Sequence, residues 1–158
     1  DNINDKYLNL DIDTFLNNDK IIIKSCTGTG KTTNISKNLR KVLDTNENLK
    51  VLSIVSLISL ATQQIETFKT NDIELINYQK SNAYEIINNN SVICINSIIK
   101  LEKFKPEYFK NTIVYIDEIN SLLGALTHND ALNGNSSLSV IDPVYLHYYL
   151  ILFLVVIK

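Results

Sequence analysis

Residues 21–33 read I-I-I-K-S-C-T-G-T-G-K-T-T, and their order decides the fold. The isoleucines are a β-branched apolar run that predicts a buried strand over 21–24. A small-residue loop containing Gly28 and Gly30 follows. Ile35, Leu39, Val42 and Leu43 then share one face of a helix predicted over 31–43. Strand, glycine loop, Lys-Thr and helix make the local plan of a phosphate-binding loop. Its backbone amides wrap a polyphosphate, the lysine reaches the outer phosphates and the threonine hydroxyl holds Mg²⁺. In the usual spacing, G-x-x-x-x-G-K-[ST], Ser25 stands at the first glycine. Thr27, Gly28, Thr29, Gly30, Lys31, Thr32 and Thr33 are therefore the nucleotide-binding candidates, with Thr32 a candidate metal ligand. A glycine turn followed by a solvated lysine is the alternative this stretch leaves open.

The second half of the site is predicted where the strand 112–116, T-I-V-Y-I, runs straight into Asp117-Glu118. A carboxylate at the carboxyl end of a strand beside the phosphate loop can hold Mg²⁺, and its neighbour can polarise the water attacking the γ-phosphate. Lys31, Asp117 and Glu118 are thus the catalytic candidates, and Thr32 and Asp117 the Mg²⁺ ligands. Acids also favour helix N-termini, so capping of a helix over 119–126 is the competing reading. The order Lys-Thr, then Asp-Glu, favours hydrolysis of a nucleoside triphosphate.

Between these halves, short apolar runs alternate with helical periodicity. Strands are predicted over 51–55, 73–77 and 92–95, and helices over 57–68, 80–87 and from Ser97 through Leu101, with a short one at Pro106. Gln63 and Gln64 read as helix surface. Alternation of this kind predicts a three-layer α/β domain, its mainly parallel sheet covered on both faces. Residues 1–19 read as an acidic, Asn-rich lead-in with a short helix over 12–17, residues 20–126 as the nucleotide-binding lobe. Residues 127–158 are a polar loop and then an apolar run over 145–157, which falls short of the ~20 residues of a membrane span. It reads as the end of the same lobe, with a tail anchor as the alternative, and no membrane is expected.

The bulk properties fit this plan. The chain has 158 residues, enough for one lobe with a real core, and 45% hydrophobic against 20% charged residues excludes a disordered chain. A net charge of −2 argues against broad electrostatic capture of nucleic acid but permits a local groove. Cys26 and Cys94 are too few for a disulfide framework or zinc site and read as free thiols of an intracellular protein. His128 and His147 lack metal-ligand companions. Asp1 at the start and the absence of Met suggest a piece of a longer protein. With no glutamine before Gln63, adenine selectivity has no visible support.

The strings T-G-T-G-K-T, V-L-S-I-V-S-L-I-S-L-A, C-I-N-S-I-I-K-L and V-Y-I-D-E-I-N-S-L-L, in this order, resemble the first RecA-like domain of superfamily 2 helicases. Among these the chain looks most like the origin-of-replication-binding helicases of herpesviruses and of other large DNA viruses, chiefly through D-E-I-N-S-L-L and T-H-N-D-A-L-N. The resemblance covers about residues 9–133. It implies a P-loop NTPase (RecA-like) fold, ATP and Mg²⁺ as cofactors, single-stranded DNA as partner and action at a viral replication site in host nucleus or cytoplasm. By position, Gly28, Thr29, Gly30, Lys31 and Thr32 form motif I, with Asp117 as Mg²⁺ holder and Glu118 as water-orienting base in motif II. Residues 56–61 match motif Ia and 96–101 resemble motif Ib, which touch the strand backbone in the family. Ser56, Ser59, Thr62, Ser97 and Lys100 are the candidate phosphate partners, each equally readable as a cap or a solvated position. Where motif Ia often brings an arginine, Leu57 and Ile58 are apolar.

Motors of this family hydrolyse ATP between two such lobes, and the second supplies arginines. Arg40, the only arginine, lies on the helix behind the loop and is poorly placed for that role. A second lobe is therefore expected outside this chain, and slow turnover within it. An AAA+ replication ATPase and a nucleotide-binding domain without motor activity are the alternatives.

Overall fold

In the computed structural model, residues 11–18, 21–23 and 28–117 are described. Helix α1 (Ile12–Leu16) is capped by Asp11, whose carboxylate accepts the Thr14 amide at 2.9 Å; the Thr14 hydroxyl, donating at 2.7 Å, and then that amide hold the Asp11 carboxyl below its ordinary range. Helix α2 (Lys31–Thr45) leads into strand β1 (Lys50–Val55). Then follow α3 (Ile58–Lys69), the two-residue β2 (Ile76–Asn77), α4 (Ala83–Asn88) and β3 (Ser91–Cys94). Two 3₁₀ turns, Ile95–Leu101 and Pro106–Phe109, connect to β4 (Thr112–Ile116).

The four strands form one parallel sheet in the order β2-β3-β1-β4, with Ile54 opposite both Ile93 and Ile116. Its central strands are buried along their length, as a sheet covered on both faces requires. The crossovers place the layers. From β1 the chain moves outward to β2 through α3, then turns back to β3 through α4 and onward to β4 through the 3₁₀ turns. Connections of one hand but opposite direction pass over opposite faces, so α3 lies on one side and α4 with the 3₁₀ turns on the other. An edge-on ring contact at 5.0 Å joins Tyr84 of α4 to Phe104 between the turns. On the other side α2 meets α3, where Asn71 Nδ2 donates to Ser36 Oγ at 2.9 Å. This is the three-layer α/β architecture that the alternation predicts, and it fits the P-loop NTPase (RecA-like) fold that the resemblance implies.

Several elements depart from the sequence reading. Residues 21–23 pair with no strand of the sheet, and Ile22 is 87% exposed; only Ile23 packs against the core. A β-branched run becomes a strand only beside a hydrogen-bonding edge, which is a tertiary condition. Lys24, the last residue of that expected strand, lies outside the described residues, as do all of residues 118–158 with the apolar run and both histidines. The strand read over 73–77 shrinks to Ile76–Asn77, because Asn77 Oδ1 accepts the Gln79 amide at 2.9 Å and turns the chain. Gln64 is not helix surface. It is 2% exposed, on the inward stripe Ala61-Gln64-Phe68, while Gln63 is exposed. Among the described residues no helix is long and apolar enough to cross a membrane.

The six-residue α4 depends on its cap, since a helix this short is not stable by itself. Asn82 accepts from the amides of Tyr84 and Glu85, and the Glu85 carboxylate accepts the Asn82 amide at 2.7 Å. Asn82→Ala is expected to cost about 1 kcal/mol, read as a lowered urea midpoint at unchanged slope. An unchanged midpoint would show that packing alone holds α4.

Candidate functional site

The phosphate-loop candidates enter α2 through two left-handed glycines, Gly28 at φ +78° and Gly30 at φ +72°. An L side chain at either position would be strained by roughly 1–2 kcal/mol. A β-carbon there would nevertheless meet nothing within 4 Å among the described residues. Gly30 is the N-cap of α2 and offers no side chain to its first amides; the first helical bond runs from Asn34 N–H to Gly30 O at 2.9 Å. A 15-residue helix thus presents its amide end, with no acid in its first turn, beside the glycine loop. That is a site for an anion. Lys31 and Thr32 are half-buried in this turn and Thr33 is exposed; Thr27 lies outside the described residues.

The other half is built on the carboxyl end of β4. Asp117 N–H donates to Ile54 O at 3.4 Å, which extends the β1–β4 ladder by one residue. Tyr115 and Asp117 are two apart, so they project to the same face of the strand. Tyr115 Oη donates to Thr32 Oγ1 at 3.5 Å, which sets the first turn of α2 over this end of β4. Gln64 Nε2 donates to Asp117 Oδ2 at 3.0 Å, and Ser53 Oγ donates to Gln64 Oε1. The Lys31–Thr32 turn and Asp117 therefore converge on one face at the strand ends. A threonine hydroxyl and a carboxylate are hard oxygen donors of the kind Mg²⁺ takes, and no described residue crowds Gly28 or Gly30, so the residues present fit Mg²⁺·nucleotide. Glu118 lies outside the described residues.

The candidate nucleic-acid contacts are less uniform. Ser56, at the end of β1, is buried, and its hydroxyl has no partner among the described residues; its carbonyl accepts from Cys94 Sγ at 3.4 Å. Ser59 and Thr62 are exposed on α3, and Ser97 is half-buried in the first 3₁₀ turn. Lys100 is committed locally: its Nζ donates to Tyr78 O at 3.0 Å and lies 5.4 Å from that ring's centre. Burial, with a smaller contribution from Cys94 and against an opposing one from Ser97, raises the Tyr78 hydroxyl above its ordinary pKa. Leu57 and Ile58 are more than half exposed beside Ser59. Arg40 pairs with Asp44 and donates to Asp72 O at 3.1 Å, so its guanidinium is engaged where α2 meets the turn after α3.

Gln64 is the residue the sequence reading missed. A signal was there: it lies three residues after Ala61 and four before Phe68, inside the apolar stripe. A polar residue at such a position is buried against a partner.

A family model described as type III restriction enzyme, res subunit, matches residues 4–144. No curated protein and no solved structure matches the chain.

Proposed function

Because the chain belongs to the type III restriction enzyme res-subunit family, a superfamily 2 helicase-type P-loop domain, we propose that it is the ATP-binding lobe of a DNA helicase. The observation that carries this reading is the Tyr115–Thr32 contact, which sets the phosphate-loop turn beside the strand that ends in Asp117. On this reading the amides of residues 28–33 hold the phosphates of ATP and Lys31 neutralises the outer ones. Thr32 and Asp117 hold Mg²⁺, which when bound offsets charge on the transferring phosphoryl group. Glu118 orients the attacking water and takes its proton.

The finer proposal is a motor for single-stranded DNA in viral-type replication, like the herpesvirus-type origin-binding helicases, acting inside the cell. The strings D-E-I-N-S-L-L and T-H-N-D-A-L-N support it. A second RecA-like lobe would supply the arginine that Arg40, engaged with Asp44 and Asp72, does not. Such an arginine is worth about 10³–10⁵ in rate in well-studied NTPases. The expected result is Mg²⁺-dependent binding of a fluorescent ATP analogue by this chain, with slow turnover. Joined to its second lobe, the protein should hydrolyse ATP faster when single-stranded DNA is added. Absence of nucleotide binding would overturn the reading, and binding without DNA-stimulated turnover in the two-lobe protein would leave a nucleotide-binding domain without motor activity.

A further inference from the structure

We propose that Gln64 is a positioning residue for the Mg²⁺ site, holding the Asp117 carboxylate in its metal-binding orientation through a buried Ser53–Gln64–Asp117 relay. The proposal rests on the reading of Asp117 as the Mg²⁺ carboxylate. Ser53 is fully buried on β1 and Gln64 is nearly so on α3, so the relay links three elements beneath the strand ends. A buried amide must use its polar atoms. Gln64 does: its oxygen accepts from Ser53, and its nitrogen donates to Asp117 Oδ2 at 3.0 Å.

The chemistry dictates this orientation of the amide. Turned over, it would aim its carbonyl at an ionised carboxylate, placing acceptor against acceptor. The serine hydroxyl, which can donate or accept, serves as the donor to the carbonyl end in that orientation.

A neutral donor here has a specific consequence. A carboxylate at the rim of the core needs donors, and a lysine or arginine would supply them while cancelling the charge that attracts a cation. Glutamine engages Oδ2 and adds no positive charge, so the carboxylate could still hold a cation. Such outer partners are worth about 10–100-fold in metal affinity at established sites. Phe68 keeps the donor in place. Gln64 and Phe68 are one helical turn apart on α3, and the Phe68 ring packs at 5.8 Å on Tyr115, two residues before Asp117.

The test uses the whole chain and measures affinity for a fluorescent ATP analogue across a Mg²⁺ titration and in EDTA, with thermal unfolding followed alongside. Gln64→Met keeps the length and apolar packing but removes the donor. It should raise the Mg²⁺ concentration for half-maximal effect about tenfold while leaving affinity in EDTA within about twofold. Ser53→Ala, which removes the partner of the Gln64 carbonyl, should shift it in the same direction by a smaller factor and stands in should Gln64→Met not fold. Asp117→Asn serves as the reference and should abolish the Mg²⁺ dependence. If Asp117→Asn abolishes it while Gln64→Met and Ser53→Ala behave as wild type, the relay is structural only and the proposal falls alone. If Asp117→Asn leaves the dependence intact, Asp117 is not the metal carboxylate, and the proposal falls with its premise.

Discussion

Asp117→Asn is expected, on the proposed helicase reading, to lower Mg²⁺-dependent ATP turnover about 10³-fold in a protein that joins this lobe to a second one, a loss of roughly 4 kcal/mol of transition-state stabilisation. Asparagine preserves the size of the side chain, and its carbonyl can still accept from Gln64, so the packing at the end of β4 survives. What disappears is the negative charge. A metal held by one carboxylate and one hydroxyl depends on that charge, because the threonine oxygen contributes a dipole only. In the chain by itself, nucleotide affinity should become nearly the same with Mg²⁺ and with EDTA. Unfolding by urea should move little, which separates loss of the metal from loss of the fold. Unchanged turnover in Asp117→Asn would remove Asp117 from the machinery and with it the pairing of the two motif halves.

The largest expected effect on stability is at Phe68. Its side chain is wholly buried, it stacks on Tyr115, and it anchors the middle layer to the helix that carries Gln64. Phe68→Ala removes a ring's worth of apolar contact and leaves a cavity between α3 and β4. Such changes cost about 3–5 kcal/mol, out of a net stability of roughly 5–15 kcal/mol for a domain. Urea unfolding should therefore show a midpoint lowered by a large fraction of its value, or no folded baseline at all. Ile22→Ala is the control: that side chain is exposed, and its removal should change stability by no more than about 0.5 kcal/mol. A Phe68→Ala midpoint within that same margin would mean that α3 is not held by this contact. The Gln64–Asp117 bond would then need another anchor.

The two experiments probe one arrangement. Gln64 faces Asp117 and Phe68 faces Tyr115, because α3 runs antiparallel to β4, so the contact that stabilises the layer also aims the donor at the carboxylate. The Asp117 assignment came from the sequence because its determinants are local: a strand-forming run, then two acids. The Gln64 assignment did not, because its partners Ser53 and Asp117 lie 11 and 53 residues away in the chain. Helical spacing marks Gln64 rather than Gln63 as inward, but it does not say which groups Gln64 meets there. In the fold one is exposed and the other buried.

The sequence by itself determined whatever depends on neighbours in the chain. The helix over Lys31–Thr45 follows from 3.6-residue periodicity, the Gly28 and Gly30 torsions from the absence of a β-carbon, and the parallel α/β class from the alternation of short apolar runs with helices. Tertiary structure alone decided which of those runs find a pairing edge. It left residues 21–23 unpaired and cut the 73–77 strand to two residues. It also decided which polar groups are taken out of water, turning Gln64 inward and shielding the Ser56 hydroxyl, and it tied the exposed Lys100 to Tyr78. The physical reason is range. Backbone torsion and periodicity act over a few residues. Strand pairing and the burial of a donor against an acceptor require segments far apart in the chain to meet, and local sequence does not encode that meeting one residue at a time.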